Sequence, residues 1–209
     1  MTEQLLDLKG RPLGARATAR RQLILDRTRD LLATRGLREL RVAEIAREVD
    51  TSPGTFYQYF ADVEDVVLHL AEQANEEIPQ LLSLFEGEWS GREGLQRARE
   101  VVMFFMDYWD RHGPILRIRN LAADEGDMRF MELRGAAMRP VLAAMAALME
   151  RTGAVKRNPD IVPASAALAM SAVLDRLAAY HRIMVIDGVS QEELVSTSAQ
   201  IVYRTLTGK

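Results

Sequence analysis

The residues with the most chemical content in this 209-residue chain are crowded into one short run, Ser52-Pro53-Gly54-Thr55-Phe56-Tyr57-Gln58-Tyr59-Phe60. Thr and Gln exchange hydrogen bonds with base edges, a Thr methyl can meet a thymine methyl, and Tyr hydroxyls reach phosphate oxygens. Ser52 stands where its side chain can accept from the free N–H groups of a following helix, and Pro53 suits that helix's first position. Such a helix N-terminus also favours a nearby phosphate. Phe56 and Phe60, four residues apart, supply an inner face, which leaves Thr55, Tyr57, Gln58 and Tyr59 on more exposed surface. Just upstream, Val42, Ile45, Ala46 and Val49 fall at i, i+3, i+4 and i+7, one face of a two-turn helix. The small Ala46 permits close approach of a second helix.

Two short helices over about 42–48 and 53–59, separated by Val49-Asp50-Thr51-Ser52, describe a helix-turn-helix. In that motif the second helix lies in the major groove with its first residues nearest the bases. A generic helical hairpin whose tyrosines merely cover a core would share the pattern, and the charge distribution favours the nucleic-acid reading. Net charge is −3 over the whole chain. Residues 1–60 nevertheless hold eleven Lys/Arg against eight Asp/Glu, and within 9–29 seven cations face Asp26 alone. A basic end on an acidic body suits a protein that presents that end to phosphate.

The elements that must position this run read as helix almost throughout. No stretch shows sustained period-2 alternation, so no strand is expected. Residues 1–17 carry Gly10, Pro12 and Gly14 and are expected to form a flexible basic arm. A first helix is expected over 18–35, with Gly36 as a left-handed C-terminal cap. Beyond the motif, helices are expected at 62–85, 95–111, 114–123, 127–151, 161–186 and 190–206. The loop 86–94 would hold an exposed Trp89, and Pro140 would kink its helix. About nine helices make an all-α protein. Its expected organisation is an arm (1–17), a three-helix DNA-binding domain (18–68) and a larger helical domain (69–209).

Over residues 20–68 the chain resembles the TetR family of bacterial transcriptional regulators. The resemblance is carried by Ile24-Leu25, Leu31-Leu32, Gly36, Val42, Ile45-Ala46, Ser52, Gly54-Thr55-Phe56-Tyr57, Tyr59-Phe60 and Glu64, in the family's order and spacing. It implies a DNA surface of Ser52, Pro53, Gly54, Thr55, Tyr57, Gln58 and Tyr59. Three positions depart from the pattern. Asp50 replaces the turn glycine, at a position where Asp tolerates the left-handed conformation. Arg41 replaces the usual Ser or Thr cap, which forgoes about 1 kcal/mol. Val63 replaces a phosphate-contacting Lys, so Arg20, Arg21 and Arg41 are expected to take over that contact.

The resemblance further implies a C-terminal small-molecule pocket and a dimer surface on the last two long helices. Candidate ligand contacts are Met103, Phe104, Asp107, Tyr108, Ile115, Ile118, Phe130, Met131, Arg134, Met138, Tyr180 and His181, though apolar residues in such helices are also ordinary core. A small, largely apolar effector suits them. The 161–186 helix is apolar nearly all round, so it needs cover on two sides, and a second copy of the chain is the simplest cover. Leu168, Ala172, Ala179, Leu194, Ile201 and Val202 are the expected interface. An effector would act by shifting the two DNA-reading domains out of register.

The sequence therefore predicts a ligand-responsive repressor that binds a palindromic operator as a homodimer. The alternative is a helical ligand-binding or interaction module of the same fold without specific DNA binding. No nucleophile-elbow, zincin, dinucleotide or P-loop pattern points to an enzyme. The three histidines, His69, His112 and His181, fall on different elements. Asp124, Glu125 and Asp127 suit a helix cap better than a cation. No cofactor, metal or membrane partner is expected. The absence of cysteine, of a signal-like N-terminus and of any apolar run long enough for a membrane fits a cytoplasmic chain.

Overall fold

A computed structural model describes residues 5–186 and 188–209. The elements are α1 Ala15–Leu32, a 3-10 turn at Leu37–Glu39, α2 Val42–Glu48, α3 Pro53–Phe56, α4 Val63–Asn75, α5 Ile78–Leu84, α6 Gly91–Asp124, α7 Met128–Thr152, α8 Ala154–Arg157, α9 Pro163–Ile186 and α10 Gln191–Thr207. Among the described residues there are thus ten α-helices, one more than expected, and the only β pairing is a single bridge between Leu6 and Pro12.

Where helix boundaries differ from expectation, glycine and proline explain it. Helix α1 ends at Leu32 with Ala33 as its C-cap, and Gly36 has φ −75°, so it opens the 3-10 turn instead of capping α1 in the left-handed region. The expected 62–85 helix is two helices, because Pro79 lacks the N–H that would bond back into α4 and stands instead at the start of α5. Conversely, α6 runs unbroken through Gly113-Pro114, and α7 runs on through Pro140. Gly113 is buried, and Ile115 and Leu116 beside it are fully enclosed, so packing holds this stretch helical despite the one donor that Pro114 omits. Asp50 has φ +49°, the left-handed turn residue anticipated from its type.

The chain forms two compact units, and their boundary differs from the expected single break after residue 68. One unit comprises the chain to Ala74 together with Pro114–Arg134; the other comprises Asn75–Gly113 with Gly135–Lys209. The first unit is built on Ile24, Leu25, Ile45, Phe56, Phe60, Val66, Val67 and Leu70, joined by Ile115, Ala123 and Phe130 from α6 and α7.

In the second unit Met145, Leu148 and Met149 of α7 are enclosed, as are Leu174 and Ala178 of α9 and Val195, Val202 and Leu206 of α10. Trp89, expected in an exposed loop, is buried; its Nε1 donates to the Leu84 carbonyl at 3.2 Å and its ring stacks on Phe85. Gly94 makes this possible, since a Cβ there would lie 2.5 Å from the Trp89 backbone and 2.8 Å from the Tyr203 ring. Helix α10 opens on a reciprocal capping box between Ser190 and Glu193.

Candidate nucleic-acid interface

The polar run identified in the sequence is a single helical turn raised on an aromatic base. Ser52 Oγ accepts from the Thr55 N–H at 3.2 Å and lies 3.1 Å from Thr55 Oγ1, which fixes the start of α3. The Thr51 N–H donates to the Ala46 carbonyl at 2.9 Å, tying the turn back to α2. Behind α3, Phe56 and Phe60 are fully enclosed with ring centroids 5.7 Å apart. In front, Ser52, Pro53, Gly54, Tyr57 and Gln58 are exposed and Thr55 is half-buried. Tyr57 keeps 52% of its surface open.

Two expected contacts lie on the inner side instead. Tyr59 is buried at 8% exposure, because with Phe56 and Phe60 it occupies the i, i+3, i+4 face of the turn. Arg21 is buried as well: Ile24, Leu25 and Thr28 follow it at i+3, i+4 and i+7, and its guanidinium lies 5.0 Å from the Phe60 ring centroid. Burial pushes its pKa down, and Glu72 and Asp65 oppose that shift. A guanidinium held there is spent on the core and is not offered to phosphate. Arg20, one position round the helix, is half-buried, and Arg41 is exposed with its Nη1 3.4 Å from the Arg38 carbonyl.

The sequence reading missed Arg47. It is exposed beside the turn, in an open cleft of about 560 Å³ that it lines with Ala43, Asp50, Thr51 and Ser52. The same 3.6-residue period that put Val42, Ile45, Ala46 and Val49 inside places Ala43 and Arg47 outside. Arg35, by contrast, keeps only 33% of its side chain open and pairs with Glu44, whose carboxyl it holds below the usual range.

The expected ligand set does not assemble as one group. Ile115, Ile118, Phe130, Met131 and Arg134 belong to the first unit, where Ile115 and Phe130 are core. Met103, Phe104, Asp107, Tyr108, Met138, Tyr180 and His181 belong to the second. Met103, Asp107, Met131 and Tyr180 are exposed, Phe104, Arg134 and Met138 half-buried, and Tyr108 and His181 buried. Within the first unit a groove of about 1050 Å³ is lined by Leu37, Val42, Val63, Ile118, Leu121 and Phe130, with Glu39, Glu64 and Glu125 at its edges. Val63 thus faces a groove. Asp127 caps α7 by accepting the Arg129 N–H at 2.9 Å, and its carboxylate pairs with the Arg129 guanidinium at 2.7 Å. No metal-ligating cluster occurs among the described residues.

Helix α9 turns one face inward through Ala167, Met170, Ser171, Leu174, Ala178 and His181. Its other face carries Leu168, Ala169, Ala172 and Val173 in the open, continuing to Tyr180 and Ile183. Ile201 of α10 is exposed, Leu194 and Ala179 are half-buried, and Val202 is buried within its own unit, with little open surface to offer a partner.

A capped, aromatic-backed turn after a two-turn helix is the geometry of a helix-turn-helix protein. Two family descriptions match the chain: "Bacterial regulatory proteins, tetR family" over residues 24–70 and "Tetracyclin repressor-like, C-terminal domain" over residues 82–209. The chain belongs to the TetR family of transcriptional regulators, whose members bind DNA and form dimers. No curated protein matches it as a relative.

Several solved structures share its fold. A TetR-family regulator from Streptomyces coelicolor is 17% identical, with 93% of this chain and 82% of that one covered and a TM-score of 0.64. The fatty acid degradation regulator FadR of Bacillus halodurans is 16% identical, covering 95% and 97%, with a TM-score of 0.63. SmeT, repressor of the Stenotrophomonas maltophilia multidrug efflux pump SmeDEF, is 17% identical, covering 90% and 88%, with a TM-score of 0.59. No described helix is long and apolar enough to cross a membrane.

Proposed function

We propose that this regulator is a repressor that binds a palindromic operator as a homodimer and is released by a small, largely apolar effector. The observation that carries the reading is the exposed face of Ser52, Thr55, Tyr57 and Gln58 over an enclosed aromatic base. It presents hydroxyl and amide groups at the size of a major groove. Arg41, Arg47 and Arg20 are the phosphate contacts, with Arg21 and Tyr59 acting from behind as supports. The exposed apolar face of α9, with Ile201 of α10, is the surface that a second copy covers, and a dimer reads two half-sites where one short helix reads only a few base pairs.

An apolar effector is supported by the aromatic and methionine content of α6 and α7. It is also in keeping with two proteins of like fold, a fatty acid degradation regulator and a repressor of a multidrug efflux pump.

The test is a salt-varied anisotropy titration of the full chain against DNA flanking its own coding region. Saturable binding about a thousand-fold or more tighter than to random DNA is expected. Equal binding to both would leave a helical module of this fold without operator specificity.

A further inference from the structure

The N-terminal arm, expected to be flexible, is folded from Leu5 onward, and it is bonded to the end of the DNA-reading turn. Asp7 organises it: its Oδ1 accepts from the backbone N–H groups of Lys9 and Arg11, both at 2.9 Å, and its Oδ2 accepts from Arg11 Nε at 2.7 Å. The Asp7 and Arg11 backbones bond at 2.9 Å, Gly10 makes the reversal at φ +75°, and the Leu13 N–H donates to the Leu5 carbonyl at 2.8 Å. The hairpin is then joined to the reading turn, because the Leu8 N–H donates to the Gln58 carbonyl at 3.2 Å. Arg11 shares a cleft of about 330 Å³ with Gln58 and Tyr59.

Resting on the DNA-binding reading above, we propose that this hairpin is a preformed phosphate clamp extending the operator contact beyond each half-site, with Lys9 and Arg11 as its contacts. Three observations support it. The hairpin is continuous with the reading surface through Gln58, so a duplex meeting Tyr57 and Gln58 meets the hairpin too. Its charge complements phosphate: Lys9 is exposed at the tip, Arg11 keeps 67% of its side chain open, and Arg16 follows in the first turn of α1. The one acid is inward, with only 8% of the Asp7 side chain open against 67% for Arg11; bonds to Arg11 depress its pKa, so it stays ionised and offsets part of that cation's charge. A segment folded before binding also loses less conformational entropy on contact than a loose basic tail.

The rival occupant is another protein, because Leu5, Leu6 and Leu8 are also exposed. Hydroxyl-radical footprinting and salt-dependent affinity on the full-length dimer separate the two. Each phosphate contact contributes about 0.9 to the slope of log affinity against log salt. Lys9→Ala/Arg11→Ala, removing four cations per dimer, should therefore flatten that slope by about 3 to 4 and shorten the footprint at its outer edges, while the ratio of operator to random binding holds. Lys9→Ala alone leaves the Asp7–Arg11 pair intact and should flatten the slope by about 2.

Asp7→Ala keeps both cations and removes an acid, so simple charge attraction predicts tighter binding. The clamp predicts lost protection at the footprint edges instead. An unchanged slope and footprint in the first two variants, with the parent still specific for its operator, would overturn the clamp and leave the repressor reading standing. A parent with no operator preference would overturn both.

Discussion

Helices α3 and α9 both expose side chains on one face and bury the other, yet the chemistry they expose differs. The exposed face of α3 is hydroxyl and amide on a single turn, held by Ser52 at its start and by Phe56 and Phe60 beneath. The exposed face of α9, a 24-residue helix, carries Leu168 at 61%, Val173 at 54% and Ile183 at 58% exposure, with Arg176 lying 4.1 Å over the Tyr180 ring between them. Aliphatic surface left in water costs about 25 cal/mol per Å², so a face like that of α9 gains from being covered. Polar groups on α3 cost nothing when hydrated and gain by meeting base edges. The inward chemistry of the two helices is similar, and the outward chemistry is what the proposed assignment of DNA to α3 and of a second subunit to α9 rests on.

The contrast fails first if the aromatic base of α3 is removed. Phe60→Ala should destabilise the protein by about 3–5 kcal/mol, since it deletes an enclosed ring and also strips Arg21 of its partner. Urea unfolding followed by circular dichroism measures this, and a loss under about 1 kcal/mol would mean that the reading turn does not depend on its base. On the other helix, Val173→Arg places a charge on the apolar face. Light scattering should then show a monomer of unchanged helix content, and operator affinity should fall about a hundred-fold or more as one half-site is lost. An intact dimer would show that the face of α9 is not the subunit contact.

How far each region was legible follows from the same contrast. Around α2 and α3 a period of 3.6, a Ser-Pro start and an aromatic pair all point one way, so the turn, its cap and even the positive φ of Asp50 could be read from residue types. Tyr59 and Arg21 were misplaced for a common reason. Each lies at i+3 or i−3 to a core residue, but polarity was weighed above position, although Tyr and Arg can both bury an apolar body against an aromatic ring. The unit boundary was not legible, because nothing local in 114–134 distinguishes packing against α1–α4 from packing against α9. The arm looked loose for its glycines and proline, and only the geometry reveals that Gly10 serves a hairpin which Asp7 closes.

A smaller effect sharpens the α3 side. Tyr57→Ala removes an exposed ring that touches Phe56 edge-on at 5.7 Å, so stability should change by less than about 0.5 kcal/mol. Operator affinity should fall by about 1–3 kcal/mol, with random-DNA binding nearly unchanged, if the side chain reads a base. An equal fall on both DNAs would make Tyr57 a phosphate contact, and a fall in stability of the same size would make it a core residue.

The smallest expected effect concerns pH and lies in the second unit. Burial raises the pKa of Glu77, but bonds from Arg111 and from His112 Nε2, the latter at 2.7 Å, outweigh it, so the carboxyl falls below its usual 4.5. A carboxylate held below its unfolded value adds stability that is fully present above that value and is lost as pH falls through the folded one. Glu77→Gln should therefore lower stability by about 0.5 kcal/mol or less at neutral pH, because the pair is partly open to solvent. The difference from the parent should shrink as pH falls below the usual 4.5 and vanish once pH is below the folded value. If it grew towards acid instead, Glu77 would be stabilising the fold as a neutral group, and Arg111 would need another counter-charge.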